Sequence, residues 1–324
     1  MTEKSPFYPP DSIDWNRVDL NSPFNLTATL KSGQSFRWSQ NEHGVWLGVV
    51  EKVVMALWQA ENSPDSPLFW QTFPEAGQWT AVEDYFRLNV DLEPLYRDWV
   101  RNEQAMEFAV KTFRGLRILR QPPEECFFGF QCATCNTVVK IERSVRKLAE
   151  RYGETIVIPY RNSGEPFKPL FIFPSLKALA DADESELRAD LWGYRAPRVI
   201  NLAKHLISLP EGWLISQRGV PHSEARTALA KMHGIGAKLA DCISLFCLDK
   251  DEAVPVDTHV WQIACNLFTP ELRGKSLTPK VYDAIVEAWR NRFGGYAGWA
   301  QQYLFAAELK RPANASGAPG IAVQ

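Results

Sequence analysis

A helical hairpin followed by a lysine carries the strongest chemical signal in this sequence. One amphipathic segment ends at Met232-His233, the turn Gly234-Ile235-Gly236 follows, and a second amphipathic segment starts at Ala237. Glycine adopts backbone conformations that other residues avoid, so this spacing predicts a tight turn, with Ile235 anchoring it in the core. The amides that open the second helix then point outward with partial positive charge, which predicts an anion site.

The anion expected at this turn is a backbone phosphate of DNA or RNA. The sequence has no lysine-serine phosphate loop and no strand before the turn, so nothing supports binding of a nucleoside triphosphate. Main-chain N–H groups around Gly234 and Gly236 suit a nucleic-acid backbone, because such contacts do not depend on base sequence.

Lys238 lies in the first turn of the second predicted helix, where positive charge is disfavoured. This position, together with partial burial, is expected to lower the pKa of the amine, and a neutral amine is a nucleophile suited to Schiff-base chemistry. The alternative is an exposed lysine that only contacts phosphate. Residue spacing alone does not separate the two interpretations.

Asp257 starts the next predicted helix, and its residue type alone favours a plain N-cap. A carboxylate held by helix amides also stays ionised at neutral pH. Such a group can stabilise a nearby cation, and C1′ of a nucleoside becomes oxocarbenium-like when its glycosidic bond breaks. Lys238 and Asp257 would then form a nucleophile and its electrostatic partner.

Two kinds of element must position these groups. The first third predicts a small antiparallel sheet, with a strand at residues 24–30, a turn at 31–34, an extended stretch at 35–38 and a hairpin of strands 45–50 and 53–58. Ser223 is predicted to cap the first hairpin helix. Helical periodicity predicts helices at 103–119, 136–151, 175–180, 184–193, 196–209, 223–232, 237–248, 258–267, 279–293 and 296–310.

The predicted fold class is α+β. A sheet-containing N-terminal domain is expected at residues 1–122, because the break Arg120-Gln121-Pro122-Pro123 is the best boundary signal. A helical body is expected at 123–310, with the hairpin at about 223–248. The small, polar tail at 311–324 is expected to be disordered.

Composition bounds the class of protein. The 324 residues suggest about two domains, and 45% hydrophobic residues exclude a disordered chain. No apolar run approaches the ~20 residues that span a bilayer, no secretory signal is seen, and six cysteines do not indicate a disulfide framework. The expected location is therefore the cytoplasm or nucleoid of a bacterium, or the nucleus of a eukaryote.

Charge divides unevenly along the chain. Residues 1–100 carry a net charge of −7 and residues 101–324 a net charge of +5. A basic C-terminal part fits a polyanionic partner, although ordinary surface variation also accounts for a difference of this size.

Four motifs in chain order resemble one family. The sequence is similar to the helix-hairpin-helix glycosylase superfamily, and within it to the eukaryotic-type 8-oxoguanine DNA glycosylase/AP lyases, over about residues 12–310. The matching stretches are Ser32-Gly33-Gln34-Ser35-Phe36-Arg37-Trp38, Gly193-Tyr194-Arg195-Ala196, the hairpin Met232-His233-Gly234-Ile235-Gly236-Ala237-Lys238-Leu239-Ala240-Asp241 with Val254-Pro255-Val256-Asp257-Thr258-His259, and Tyr296-Ala297-Gly298-Trp299-Ala300-Gln301.

This resemblance implies a bifunctional base-excision repair enzyme. Its fold would combine a TBP-like antiparallel sheet domain with the helical glycosylase body. It would act on duplex DNA containing 8-oxoguanine, as a monomer without cofactor or metal. Lys238 matches the catalytic lysine that displaces the base and forms an imine with C1′, and Asp257 matches the catalytic aspartate.

The resemblance also implies a pocket for the damaged base. Gly33 matches the glycine whose carbonyl accepts the N7 hydrogen that guanine lacks, and Gln301 matches the reader of the Watson–Crick edge. Phe305 matches the stacking aromatic and Cys242 the cysteine on the other face of the base, while Pro255 would line the pocket wall.

A second set of matches would contact DNA outside that pocket. Tyr194 matches the wedge beside the vacated stack, Arg195 a contact to the orphaned cytosine, and His259 a phosphate contact. The full set of implied DNA-binding residues is Asn136, Lys140, Tyr194, Arg195, Gly234, Gly236 and His259.

The match departs from the family pattern beside Asn136. Cys135 and Lys140 stand where the family has asparagine and arginine, and lysine lacks the planar fork that reads a base. The opposite-base preference is therefore left unassigned.

Other interpretations are weighed beside the leading one. A glycosylase for another oxidised or alkylated purine is one alternative, although alkylation enzymes usually lack the hairpin lysine. A non-catalytic DNA-binding module, in which Lys238 contacts phosphate and Asp257 only caps a helix, is another. Cys126, Cys132 and Cys135 have no fourth ligand nearby and are expected to be buried thiols.

Overall fold

The computed structural model describes residues 15–60, 63–133, 136–156, 158 and 169–310. Within them the predicted α+β architecture is confirmed. A five-stranded antiparallel sheet has the order β1-β5-β4-β3-β2, and a two-stranded ribbon pairs β6 with β7. The strands are β1 Asn16–Val18, β2 Ser39–Gln40, β3 Trp46–Val50, β4 Val53–Trp58, β5 Leu68–Phe73, β6 Thr155–Ile156 and β7 Leu170–Phe171.

Fifteen α-helices are defined in the described ranges. They are α1 Leu26–Leu30, α2 Trp79–Phe86, α3 Leu92–Asn102, α4 Ala105–Thr112, α5 Pro123–Gln131, α6 Val138–Tyr152, α7 Leu176–Ala180, α8 Glu184–Leu187, α9 Ala196–Ser208, α10 Trp213–Ser216, α11 His222–Ala230, α12 Ala237–Cys247, α13 Thr258–Leu267, α14 Pro279–Phe293 and α15 Ala297–Lys310. None of the helices so described is long and apolar enough to cross a membrane.

The predicted β-hairpin is confirmed. Val50 pairs with Val53 across a turn in which Glu51 has a left-handed φ of 52°. β-branched residues favour the flanking strands, because they fit the pleated surface. One face of the sheet packs on α1 and α2, and the other face packs on Ile156 and Ile158. The sheet is thus covered on both sides.

The predicted strand at residues 24–30 is wrong, because α1 forms there. The side chain of Asn25 accepts a 2.9 Å hydrogen bond from the Ala28 amide and caps the helix. Leu26 and Leu30, four residues apart, both face the core, so the apparent alternation also fits one side of a helix. β5, which the sequence did not predict, lies inside the sheet between β1 and β4.

The extended stretch predicted at residues 35–38 is also only partly right. The regular strand in this part of the chain is β2, which begins at Ser39, one residue after the predicted stretch ends. The helix predicted at 103–119 ends at Thr112. Gly115 has φ +83°, and a Cβ there would lie 2.6 Å from the Asn25 backbone nitrogen. A helix cannot pass through so close a chain crossing, and residues 116–119 run on without regular structure.

The Pro122-Pro123 break also starts a helix that the sequence analysis did not predict. α5 has proline at its first position, where the missing amide costs nothing. Phe127 and Phe128 are fully buried, and Phe130 stacks on Phe246 of α12. α5 thereby packs against the second helix of the hairpin.

One hydrophobic core runs through the helical body. It also takes in Trp99 of α3 and Met106 of α4, which precede residue 122, the domain boundary expected from the sequence. The boundary itself stays a prediction. The predicted tail at 311–324 lies outside the described residues.

Candidate active site at the helical hairpin

The hairpin is formed by α11 and α12, and its turn matches the prediction. Gly234 has φ +79° in the left-handed region, and Ile235 is buried in the main core. The predicted Ser223 cap is wrong, since α11 begins at His222 after Pro221, and no side chain caps it. Proline at this position already sets the backbone for the first turn.

The N-terminus of α12 is open to an anion. Gly236 precedes the helix in an extended conformation, has no side chain to cap it, and faces open space. The first amides of the helix therefore remain available, and the helix dipole adds partial positive charge. Arg198 of α9 lies against Gly234, where a Cβ would come within 2.5 Å of its Nε. Arg198 is thus an additional cation at the turn that the sequence pattern did not indicate.

Lys238 and Asp257 meet beside this turn. Nζ of Lys238 lies 3.7 Å from Oδ2 of Asp257, and the two side chains are 44% and 24% exposed. Asp257 is the N-cap of α13, where its Oδ1 accepts a 2.9 Å hydrogen bond from the Val260 amide. One carboxylate oxygen is thus fixed by the helix while the other faces the amine.

Cys242 lies one turn after Lys238 on α12 and is buried. Burial raises the pKa of its thiol to about 12, while the charge of Lys238 lowers it and those of Asp241 and Asp257 raise it. The thiol is therefore neutral at physiological pH. Pro255 is buried in the segment that leads to Asp257.

Gly33 occupies a turn with open space beside it. It has φ +79°, and a Cβ there would meet no atom within 4 Å. The next residue, Gln34, is fully buried, and its side-chain amide donates to the carbonyls of Thr29 and Arg117 and accepts from the Leu119 amide. The glycine therefore lies on a turn whose neighbour is firmly held.

Gln301 and Phe305 lie on α15. Gln301 is 3% exposed, and within the described part of the chain its amide forms no hydrogen bond. Phe305 is half-buried, and its ring lies 6.0 Å from that of His259, edge to face. His259 is two residues beyond Asp257, so α15 and the first turn of α13 adjoin at the candidate site.

A hydrogen bond joins the glycine turn to α15. The side chain of Gln302 donates to the Ser32 carbonyl at 2.9 Å. It links the residue before Gly33 to the residue after Gln301, although 270 positions separate them. Gln302 and Gln34 were not predicted as site residues, and their only signal in the sequence is their position next to Gln301 and Gly33.

The remaining predicted DNA contacts lie at the start of α6 and just before α9. Tyr194 is 60% exposed, whereas Arg195 is 7% exposed and stacks on the Tyr194 ring at 4.4 Å. Lys140 is exposed, and Asn136 accepts a hydrogen bond from the Thr137 amide. The roles of these residues stay predictions.

A buried contact joins α6 to the turn that carries Tyr194. Predicted as one helix at 184–193, this stretch is α8 followed by a π-helical turn, Arg188–Trp192, which ends at Gly193 with φ +50°. Trp192 is buried and donates to the Ser144 carbonyl of α6 at 3.2 Å. Tyr194 is thereby presented on a turn anchored to α6.

Two of the three cysteines expected to be buried thiols are confirmed as such. Cys126 and Cys132 are free and buried, while Cys135 lies outside the described residues. In the described ranges, no three His, Cys, Asp or Glu side chains come together as metal ligands.

Two family models match the chain. Residues 17–127 match the N-terminal domain of 8-oxoguanine DNA glycosylase, and residues 135–290 match the HhH-GPD superfamily of base excision DNA repair proteins. The second match includes the hairpin, Lys238 and Asp257.

Curated relatives and solved structures agree. The N-glycosylase/DNA lyase OGG1 of Arabidopsis thaliana is 34% identical over 297 residues, which cover 89% of this chain and 78% of the relative. The N-glycosylase/DNA lyase of Saccharomyces cerevisiae is 29% identical, over 92% of this chain and 87% of its own. The structure of MBOgg1 with a low-affinity DNA ligand superimposes with a TM-score of 0.76 at 25% identity, covering 92% of this chain and all of the other.

Proposed function

This chain belongs to the 8-oxoguanine DNA glycosylase family of helix-hairpin-helix base-excision proteins, and we propose that Lys238 and Asp257 carry out its reaction. It is a bifunctional N-glycosylase and DNA lyase that removes 8-oxoguanine from duplex DNA and then cleaves the strand. The observation behind the residue assignment is the 3.7 Å approach of the Lys238 amine to the Asp257 carboxylate beside an open helix N-terminus.

DNA binding comes first. The amides that open α12 and the side chain of Arg198 hold a backbone phosphate without regard to base sequence. A glycosylase cannot reach C1′ inside a duplex, so the nucleotide must be turned out of the stack, at a cost of a few kcal/mol. The exposed ring of Tyr194 fills the vacated stack and offsets part of that cost.

Lys238 then acts as the nucleophile. The lone pair of its deprotonated Nζ forms a bond to C1′, and the electron pair of the glycosidic bond leaves with N9 of the base, which takes up a proton. Nζ then loses one proton, the C1′–O4′ bond breaks and O4′ takes up a proton, which leaves a protonated imine between Nζ and C1′. Removal of a C2′ proton then expels the 3′ phosphate, which breaks the strand.

Asp257 stabilises the charge that develops on the sugar. Its Oδ1 is held by the Val260 amide, so the carboxylate does not need to reorient when C1′ becomes cationic. The N-cap and the electrostatic roles of this residue are thus compatible.

The base pocket selects the lesion. The open space at Gly33 lets its carbonyl meet the N7 hydrogen of 8-oxoguanine, and guanine offers a lone pair there instead. A buried acceptor left without a donor costs about 1–3 kcal/mol, up to roughly a hundredfold in rate. The buried amide of Gln301 reads the Watson–Crick edge, and Phe305 and Cys242 flank the base.

Borohydride trapping on duplexes that carry 8-oxoguanine opposite each of the four bases tests the assignment. Reduction of the imine is expected to link the wild-type protein covalently to DNA. Lys238→Gln is expected to abolish both the adduct and base release, because no other amine is assigned to C1′. The four duplexes also measure the opposite-base preference that the sequence left open.

Lys231→Gln is the matched control. Lys231 is an exposed lysine at the end of α11 in the same hairpin, and its loss should leave trapping intact. Base release that persists in Lys238→Gln would overturn the role of this lysine. Failure of the wild type to release 8-oxoguanine from any duplex would overturn the proposed function.

A further inference from the structure

A buried polar cluster lies behind the hairpin and takes no part in the chemistry described above. Its centre is Asp241 of α12, which is fully buried three residues after Lys238. Tyr282 of α14 donates a 2.6 Å hydrogen bond to its Oδ2, and His222 of α11 lies 2.9 Å from its Oδ1. One carboxylate thus joins three helices.

The protons in this cluster can be assigned from its neighbours. Arg290 donates to Nδ1 of His222 at 2.5 Å, so the other ring nitrogen, Nε2, carries the hydrogen that goes to Asp241. Burial, and then the charge of Asp241, raises the pKa of Tyr282, so its hydroxyl stays protonated and donates. Nε of Arg226 lies 3.3 Å from Oδ2 and offsets the buried negative charge.

The same hydroxyl reaches the segment that carries Asp257. The Val256 amide donates to the Tyr282 oxygen at 3.2 Å, and the Val254 carbonyl lies 3.4 Å from that oxygen. Val256 directly precedes Asp257 in the chain. A single oxygen atom therefore connects the helix of Lys238, through Asp241, with the backbone next to Asp257.

We propose that Tyr282 is a positioning residue, whose hydroxyl sets the separation between the Lys238 amine and the Asp257 carboxylate. The inference rests on the proposed function, because it assigns the residue a role in the same reaction. Both partners of the hydroxyl are buried, so its loss deprives the Val256 amide and Oδ2 of Asp241 of a hydrogen bond inside the protein. Without it, the segment 254–257 is free to move relative to α12 by fractions of an ångström, and reacting groups tolerate little misplacement.

Tyr282→Phe tests the proposal with minimal disturbance. The ring stays in its buried site and keeps its contact with the Arg226 guanidinium, 5.2 Å from the ring centre. The single-turnover rate of 8-oxoguanine release is expected to fall about tenfold, which corresponds to ~1.4 kcal/mol. The Kd for lesion DNA should stay within about twofold, because the hairpin amides and Arg198 are untouched.

Tyr152→Phe is the matched control. Its hydroxyl donates to a carboxylate oxygen of Glu186 at 3.1 Å, outside the site. Its removal should leave both rate and affinity unchanged. A general loss of folding would instead lower rate, affinity and the melting temperature of Tyr282→Phe together, and that result would overturn the positioning role.

A double-mutant cycle separates positioning from stability. If Tyr282 acts through Asp257, then Tyr282→Phe should cost little in an Asp257→Asn background, where the carboxylate is already gone. Additive losses would overturn the proposal, as would a Tyr282→Phe rate within twofold of wild type. Since the wild-type protein traps DNA in either case, these failures are distinct from failure of the proposed function.

Discussion

The side chain of Gln302 donates a hydrogen bond to the carbonyl of Ser32, 2.9 Å away, and so ties α15 to the turn that holds Gly33. The base pocket proposed here needs the Gly33 carbonyl and the Gln301 amide at a fixed separation. When the Gly33 carbonyl is held in place, guanine leaves it without a hydrogen-bond donor, and this costs binding free energy. A carbonyl that can move turns away from N7 of guanine and avoids that cost.

Gln302→Ala is therefore expected to reduce discrimination. The ratio of base-release rates for 8-oxoguanine and guanine should fall about 3–10-fold, in line with the net worth of one hydrogen bond. Gln40→Ala, which removes a glutamine-to-carbonyl bond to Gly44 in the sheet, is the control and should preserve the ratio. An unchanged ratio in Gln302→Ala would show that this hydrogen bond does not contribute to selectivity.

Gly33→Ala separates backbone strain from base recognition. A Cβ at this position has room, but alanine is strained at φ +79°, so unfolding should become easier by about 1 kcal/mol. Relief of that strain shifts the carbonyl and lowers the preference for 8-oxoguanine. Urea unfolding and competitive base-release assays measure the two effects.

Gly77→Ala gives the comparison for that experiment. Gly77 has φ +81° and equally open surroundings, but it lies between the sheet and α2. It should lose similar stability and no selectivity. If both variants kept full selectivity, the Gly33 carbonyl would not be the feature that recognises N7.

Asp257→Asn divides the two roles of this side chain. Asparagine caps helices about as well as aspartate, so the melting temperature should change little. Loss of the negative charge should slow base release about a hundredfold. Asp91→Asn, at the N-cap of α3, is the control and should leave the rate unchanged; a wild-type rate in Asp257→Asn would reduce this residue to a cap.

Asp190 predicts a pH-dependent contribution to stability. Arg151 lowers the pKa of this carboxyl, partial burial opposes the shift, and Lys147 adds to the lowering. A lowered native pKa means that the stabilisation is complete above the ordinary value of 3.8 and is lost as pH falls through the native pKa. Asp190→Asn should therefore cost about 1–3 kcal/mol at pH 7 and progressively less in acid.

Urea unfolding of wild type and Asp190→Asn across pH 7 to 3 measures this difference. Asp98→Asn removes an exposed ion pair with Arg101 and should cost little at any pH. A constant gap between wild type and Asp190→Asn down to the lowest pH would contradict the linkage.

Much of the helical body could be predicted because its signals are local. Hydrophobic periodicity predicted α13 and α14 with their observed bounds, and the two glycines of the hairpin identified its turn. The N-cap position of Asp257 followed from the residue type and the apolar segment after it.

The errors arose where distant contacts decide the structure. Residues 24–30 alternate in hydrophobicity, yet the Asn25 cap and the close crossing at Gly115 favour a helix. Nothing near Tyr282 in the sequence indicates that its hydroxyl meets both Asp241 and Val256, which lie 41 and 26 residues away. The role of such a residue can be inferred only from the folded structure, because its partners are distant in the sequence.

The Ser32–Gln302 hydrogen bond also bears on how the molecule is made. Ribosomes add residues from the N-terminus, so the amine of Lys238 leaves the exit tunnel before the helix that completes the recess for the flipped base. A nascent chain halted near residue 290 would already carry the reactive hairpin but would lack Gln301 and the Gln302 side chain that bonds to Ser32. Because α15 also buries Trp299 and Tyr303 in the main core, the last helix completes both the recess for the base and the core that supports the hairpin.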